Sequence, residues 1–131
     1  MKYLLDTHSL IWFLENNPKL SSTAKAIIED LENEIFVSIV SWLEISIKVT
    51  IGKLTLPASL SEIMSKSASI QINPIGILES HIIAYQKLHF FEEHRDPFDR
   101  IIIVTAIAEG LAIITTDPKF KLYQDNVVLV W

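Results

Sequence analysis

Five acids stand where a chain of this kind could do chemistry: Asp6, Glu44, Asp96, Asp99 and Asp117. Asp6 directly follows the apolar run Tyr3-Leu4-Leu5, and Asp117 follows the run Leu111 to Thr115 by two residues. Asp96 and Asp99 open the amphipathic segment that leads into that second run. Glu44 lies one turn into the segment after Ile35-Phe36-Val37-Ser38. Hard carboxylate oxygens suit Mg²⁺ and Mn²⁺. Such ions, singly or in pairs, activate a water and stabilise the leaving oxygen of a phosphodiester. The chemistry asks for several acids held together against their mutual repulsion. It asks for no histidine, cysteine or serine nucleophile.

Each acid also has a plain structural reading. Asp6 can cap the helix that starts at Thr7. Ser41-Trp42-Leu43-Glu44 matches a capping box, and Glu44 can instead pair with Lys48 one turn on. Asp96-Pro97-Phe98-Asp99 is a strong helix start, with Pro97 at the first helical position. Thr116-Asp117-Pro118 reads as a turn. No single acid decides the matter; their joint placement does.

The elements that must position these acids follow from punctuation and period. Strands are predicted over Tyr3–Leu5, Ile35–Ser38, Ser69–Ile72 (ended by Asn73-Pro74), Leu111–Thr115 and Val127–Val130. Helices are predicted over Thr7–Glu15, Ser21 or Ser22 to Asn33, Val40–Ile51, Ser59–Ser67, Ile77–Phe91 and Pro97–Glu109, the last stopped by Gly110. Short apolar strands separated by helices imply a parallel sheet covered on both faces. Such open sheets place their sites at the carboxyl ends of the strands. The helix from Val40 carries two apolar stripes: Val40, Leu43, Ile47 and Ile51, and Trp42, Ile45 and Val49. One can pack on the sheet, and the other is core or a partner-binding patch.

Composition narrows the classes. The 131 residues suit one domain spanning 1–131, and half of them are hydrophobic. There is no cysteine, which excludes disulfides, thiolate zinc sites and cysteine nucleophiles. Three glycines leave no Gly-rich phosphate loop. Asp6 interrupts any signal-peptide core, and no apolar run has the length of a membrane span. A soluble, cytoplasmic protein is expected, with no membrane association. The formal charge of −5 argues against a simple nucleic-acid-binding module. Setting the five acids aside leaves no net charge, so the acidity is local and of the kind bound cations offset. His8, His81, His89 and His94 include no i, i+4 pair; they read as ordinary histidines, with His8 directed away from its neighbour Asp6, and with substrate contact as the alternative for His94, which precedes the acidic cap.

Leu4-Leu5-Asp6-Thr7, Ser41-Trp42-Leu43-Glu44, His94-Arg95-Asp96-Pro97-Phe98-Asp99-Arg100 and Thr115-Thr116-Asp117 together resemble a PIN domain. The likeness runs over nearly the whole chain. It is nearest to VapC-type toxins of bacterial toxin–antitoxin pairs, in the subgroup with an RDPFDR signature followed by an apolar helix. The resemblance implies an α/β fold, a three-layer α/β/α sandwich with a central parallel sheet. It implies Mg²⁺- or Mn²⁺-dependent endoribonuclease activity on RNA, a homodimer, and a small antitoxin partner. Asp6 and Asp99 would bind the principal metal, and Glu44 would complete the site or orient the attacking water. Asp117 would serve a second metal or water. Asp96 is the alternative to Asp99 as the metal-facing acid. Thr7 and Thr116 would hydrogen-bond the acids, and Arg95 and Arg100 would meet RNA phosphate.

Two other readings stand beside this one. In the first, the chain is a non-catalytic α/β interaction module whose acids are helix caps and whose apolar helix binds another protein. In the second it is a receiver-like or phosphatase domain. That reading is weakened because Asp6 is followed by Thr7 and His8, not by a second acid.

Overall fold

The structure, a computed structural model, describes residues 1–131. Five parallel strands form one sheet in the order β3-β2-β1-β4-β5. They are β1 (Lys2–Leu5), β2 (Glu34–Ser38), β3 (Ile72–Ile75), β4 (Ala112–Ile114) and β5 (Leu129–Val130). The helices are α1 (Thr7–Leu14), α2 (Ser22–Glu29), α3 (Ile39–Thr50), α4 (Leu60–Ser69), α5 (Glu79–Lys87) and α6 (Pro97–Glu109). A 3-10 helix covers Pro118–Tyr123.

Alternation along the strands sorts side chains onto two faces. Tyr3, Leu5, Ile35, Val37 and Ile114 pack with Leu10, Ala24, Trp42 and Ile45 on one side. Leu4 and Ile113 pack with Ile102, Ile103, Ala106, Phe120 and Tyr123 on the other. Helices therefore cover both faces, and the three-layer α/β/α architecture is the observed one. The chain builds outward from β1 to β3, then returns to β4 on the other side of β1. This reversal creates a switch point between β1 and β4, where the carboxyl ends of neighbouring strands open a crevice. Leu5 stands beside both Val37 and Ile114, so Asp6 emerges at that crevice.

Three elements have a boundary that differs from expectation by three residues or more, each for a local reason. The third strand is Ile72–Ile75, not Ser69–Ile72. It contains Pro74, which is paired with Val37. As the sheet's edge, β3 tolerates a residue without an N–H. Helix α2 ends at Glu29, well before Asn33. Asp30 turns the chain by accepting from the Glu32 amide, and the Asn33 side chain donates to the Ile27 carbonyl. Helix α5 covers Glu79–Lys87 and not Ile77–Phe91, because its last carbonyls are taken by Arg100. In α3, Trp42 and Ile45 are core but Val49 of their stripe is exposed, whereas Leu43, Ile47 and Ile51 are exposed and Val40 of theirs is buried. No helix is long and apolar enough to cross a membrane.

Helix α6 begins and ends as its sequence directs. Asp96 accepts from the Phe98 and Asp99 amides, Pro97 fills the first position, and Gly110 sits at φ +68°. A side chain there would meet open space but a strained backbone. Gly110→Ala is therefore expected to lower stability by about 1 kcal/mol, read as a denaturation midpoint. An unchanged midpoint would refute the strain argument.

Candidate active site

The sheet's switch point holds a polar cleft of about 300 Å³ with no hydrophobic residue in its lining. Asp6, Glu44, Asp96, Asp99 and Asp117 all line it. Residues separated by more than a hundred positions are thus gathered at the carboxyl edge of the sheet.

Asp6 is 4% exposed. It caps α1 by accepting from the Ser9 amide at 2.8 Å, and its other oxygen accepts from the Thr115 hydroxyl at 2.5 Å. Burial raises its carboxyl above the ordinary value, and the Ser9 and Thr115 hydrogen bonds oppose that rise. Asp99 stands in the first turn of α6. Burial pushes its carboxyl up to about 6; the His94 hydrogen bond opposes this, and neighbouring Asp96 and Asp117 reinforce it. Glu44 reaches in from α3. One of its oxygens pairs with Lys48 Nζ at 2.9 Å, and the other, Oε1, is buried with no hydrogen-bond partner. Asp117 accepts from the Lys119 amide at 2.9 Å and caps the 3-10 helix. Its own amide donates to the Thr115 hydroxyl at 3.1 Å.

The capping roles therefore hold for Asp6, Asp96 and Asp117, and they coexist with membership of the cleft. The acids line one wall system without forming a closed cage: no three of the chain's His, Asp and Glu side chains are already clustered as a ligand set. Each is held by its own protein donors, as repulsion between like charges dictates.

Five expectations about individual side chains need correcting, that for His8 among them. Ser41 and Glu44 form no capping box. Ser38 caps α3 by accepting from the Val40 amide, and Ser41 is buried, receiving the Thr7 hydroxyl at 3.0 Å. Thr7 accordingly bonds a serine and not an acid. Thr116 is exposed; its neighbour Thr115 holds Asp6 and Asp117 instead. Arg100 does not face the cleft: it is 4% exposed and donates to three backbone carbonyls and to Tyr123. Arg95 does line the cleft, and its guanidinium is paired with Glu92.

Lys119 is a cleft residue that sequence reasoning missed, Lys48 entered it only as a partner for Glu44, and His94 only as a side chain that could contact substrate; all three line the cleft. His94 is 1% exposed and its Nε2 lies 3.0 Å from Asp99 Oδ2. Its position two residues before Asp96 was the available signal. His8, exposed and with its ring tilted against Trp12 at 5.8 Å, also borders the cleft, against the expectation that it points elsewhere.

The sequence profile of the PIN domain matches residues 3–126. This chain belongs to the PIN domain family. It is 27% identical to ribonuclease VapC22 of Mycobacterium tuberculosis over 129 residues, 98% of this chain and 97% of that one. Among solved structures, this PIN domain is similar to VapBC2 from Rickettsia felis bound to a DNA fragment from its promoter. The TM-score is 0.71 with 20% identity, over 99% of this chain and 98% of that chain. It is similar also to VapBC-1 from nontypeable Haemophilus influenzae, at a TM-score of 0.73 and 21% identity, over 99% and 97% of the two chains. These likenesses agree with the parallel sheet and the covering helices. Within the PIN domain, the polar cleft sits at the carboxyl ends of β1 and β4, where an open parallel sheet places its ligands.

Proposed function

We propose that this PIN domain is a metal-dependent endoribonuclease and the toxin of a toxin–antitoxin pair. The observation that carries the reading is a cleft walled by five acids and no apolar side chain, with a buried carboxylate oxygen, Glu44 Oε1, left without a partner. An orphaned buried acceptor costs about 1–3 kcal/mol, and a hard cation satisfies it. The donor set thus suits Mg²⁺ or Mn²⁺. Asp6, Asp99 and Glu44 would hold the ion, with Asp117 as a further ligand and Asp96 capping the helix that presents Asp99. When bound, such an ion acidifies a water and offsets charge on the reacting phosphate.

The chain's own residues supply the rest. Thr115 and Ser9 hold Asp6 in place from opposite oxygens. Lys48 neutralises Glu44 along α3. Lys48, Arg95 and Lys119 put positive charge on the cleft wall, where RNA phosphates would lie. The similarity to ribonuclease VapC22 supports RNA as the substrate.

The VapBC structures among its neighbours support a small antitoxin as partner. An apolar cleft of about 210 Å³, lined by Ile11, Trp42, Ile45, Leu56 and Ile63, suits the apolar side chains of such a protein. Exposed Leu43 and Ile47 on α3, with Ile82 and Ile83 on α5, suit a homodimer contact.

The test uses the purified chain and a circular RNA. Opening of the circle is expected with Mn²⁺ or Mg²⁺ and is expected to stop in excess EDTA. Cleavage at full rate in EDTA would remove the metal from the mechanism. No cleavage under any metal would favour a non-catalytic module.

A further inference from the structure

Behind Asp99 lies a run of buried polar groups drawn from three parts of the chain. His94 comes from the segment before α6, Arg100 from α6 itself, and Tyr123 from the end of the 3-10 helix. Arg100 Nη1 lies 3.4 Å from the Tyr123 hydroxyl, that hydroxyl lies 2.9 Å from His94 Nδ1, and His94 Nε2 lies 3.0 Å from Asp99 Oδ2. All three side chains are at least 96% buried, and the His94 ring is packed against Phe120 and Tyr123.

The first member of this relay favours one direction along it. A guanidinium has donors only, so the Tyr123 oxygen accepts from Arg100. The tyrosine proton is then free to point at His94 Nδ1, which accepts it. In the singly protonated ring the remaining proton is on Nε2, and it is donated to Asp99. Asp99 needs such an anchor. It faces the like charges of Asp96 and Asp117, and an aspartate has two free torsions with which to swing away from them.

Resting on the nuclease reading above, we infer that His94, locked as its Nε2–H tautomer by Tyr123 and Arg100, is a positioning residue: it pins Oδ2 of Asp99 so that Oδ1 is presented to the cation in the cleft. His94 itself touches neither substrate nor metal. It acts as the outer partner that orients a ligating carboxylate, a role whose loss typically costs about 10–100-fold in metal affinity or activity.

The experiment is a Mn²⁺ titration of the full-length protein by calorimetry, paired with ¹⁵N spectroscopy of the histidine rings. His94→Leu removes the donor and is expected to weaken Mn²⁺ binding by about 10–100-fold. His94→Gln restores a donor and is expected to recover most of that loss. Tyr123→Phe keeps the ring and removes the hydroxyl; His94 is expected to lose its single-tautomer signature, and Mn²⁺ affinity to fall. His81 supplies the control, being equally buried and paired with Glu109 at 2.8 Å far from the cleft. His81→Gln is expected to leave Mn²⁺ affinity unchanged. Folded His94→Leu or Tyr123→Phe protein with wild-type Mn²⁺ affinity overturns the inference, as does a wild-type spectrum with the proton on Nδ1. Should His94→Leu fail to fold, Tyr123→Phe decides. Wild-type protein that binds no Mn²⁺ overturns the metal reading itself, and with it the inference; the two failures are told apart by which protein shows them.

Discussion

Asp6→Asn and Asp99→Asn are each expected to abolish most RNA cleavage while making the metal-free protein more stable at pH 7.5. The two effects have one cause. In the proposed nuclease, each carboxylate is needed as an anion to hold a cation. Losing one removes several kcal/mol of transition-state stabilisation, or about 10³-fold in rate. The fold, however, disfavours those anions. Burial raises both carboxyls above 3.8, Asp99 to about 6. A raised acid binds its proton more tightly folded than unfolded, so its ionised form opposes folding. The penalty from Asp99 is fully present above pH 6, shrinks as pH falls from 6 towards 3.8, and is gone below that. An amide carries no charge at any of these values. Asp99→Asn is expected to gain about 1–3 kcal/mol at pH 7.5, a rise in Tm of about 3 °C or more for a chain of this size. At pH 4 the gain should vanish. Asp6→Asn shares the direction, tempered by the two hydrogen bonds that favour its carboxylate. Added Mg²⁺ should raise the Tm of the wild type more than that of either variant. Full activity in either variant would remove that acid from the site. Lower stability of Asp99→Asn at pH 7.5 than at pH 4, relative to wild type, would reverse the electrostatic account.

Much of this was legible in the residues because it depends on neighbours in sequence. Asp96, Pro97 and Gly110 carry their own start and stop instructions, and α6 has the predicted bounds. Asp6 follows a strand of apolar residues, and any parallel sheet exposes such a position at its carboxyl edge. The gathering of Asp6, Glu44, Asp96, Asp99 and Asp117 around one cleft follows from that rule together with the order of the elements. What was hidden depends on register and packing. Choosing Thr115 over Thr116 as the partner of Asp6 requires knowing that Leu5 stands beside Ile114. A shift of one residue exchanges the two threonines between faces. Ser38 caps α3 in place of Ser41 because Ser41 is drawn into the core to meet Thr7. Pro74 looked like a strand stop and is one only in an interior strand; edge placement, invisible in sequence, makes it tolerable. His94 and Arg100 flank the acidic signature and look solvent-facing in sequence, yet both turn inward to polar partners contributed by distant segments.

Arg100 gives the second large effect. Its guanidinium donates to the carbonyls of Tyr85, Leu88 and His89 at 3.0 to 3.3 Å and to the Tyr123 hydroxyl. It also stacks 4.8 Å from the Tyr85 ring. No carboxylate pairs with it. Its charge is met by the carbonyl end of α5, where the helix dipole is negative. This geometry uses the planar fork of arginine, and a lysine ammonium reaches fewer of those oxygens. Arg100→Ala leaves the Leu88 and His89 carbonyls without their donor, leaves Tyr85 only the long Leu88 amide contact at 3.3 Å, and opens a cavity beneath α5. Breaking a buried charged partner set of this kind costs about 3–5 kcal/mol. The expected result is a fall in Tm of about 10 °C or more, with faster amide exchange at Leu88 and the last turn of α5. Arg100→Lys should recover only part of the loss. Arg95 is the contrast, since it is exposed and its one ion pair is at the surface. Arg95→Ala should leave stability within about 0.5 kcal/mol of wild type and instead reduce the salt dependence of RNA binding. If Arg100→Ala keeps wild-type stability and shows the weakened salt slope itself, Arg100 is an RNA contact after all and the anchoring of α5 must be sought elsewhere.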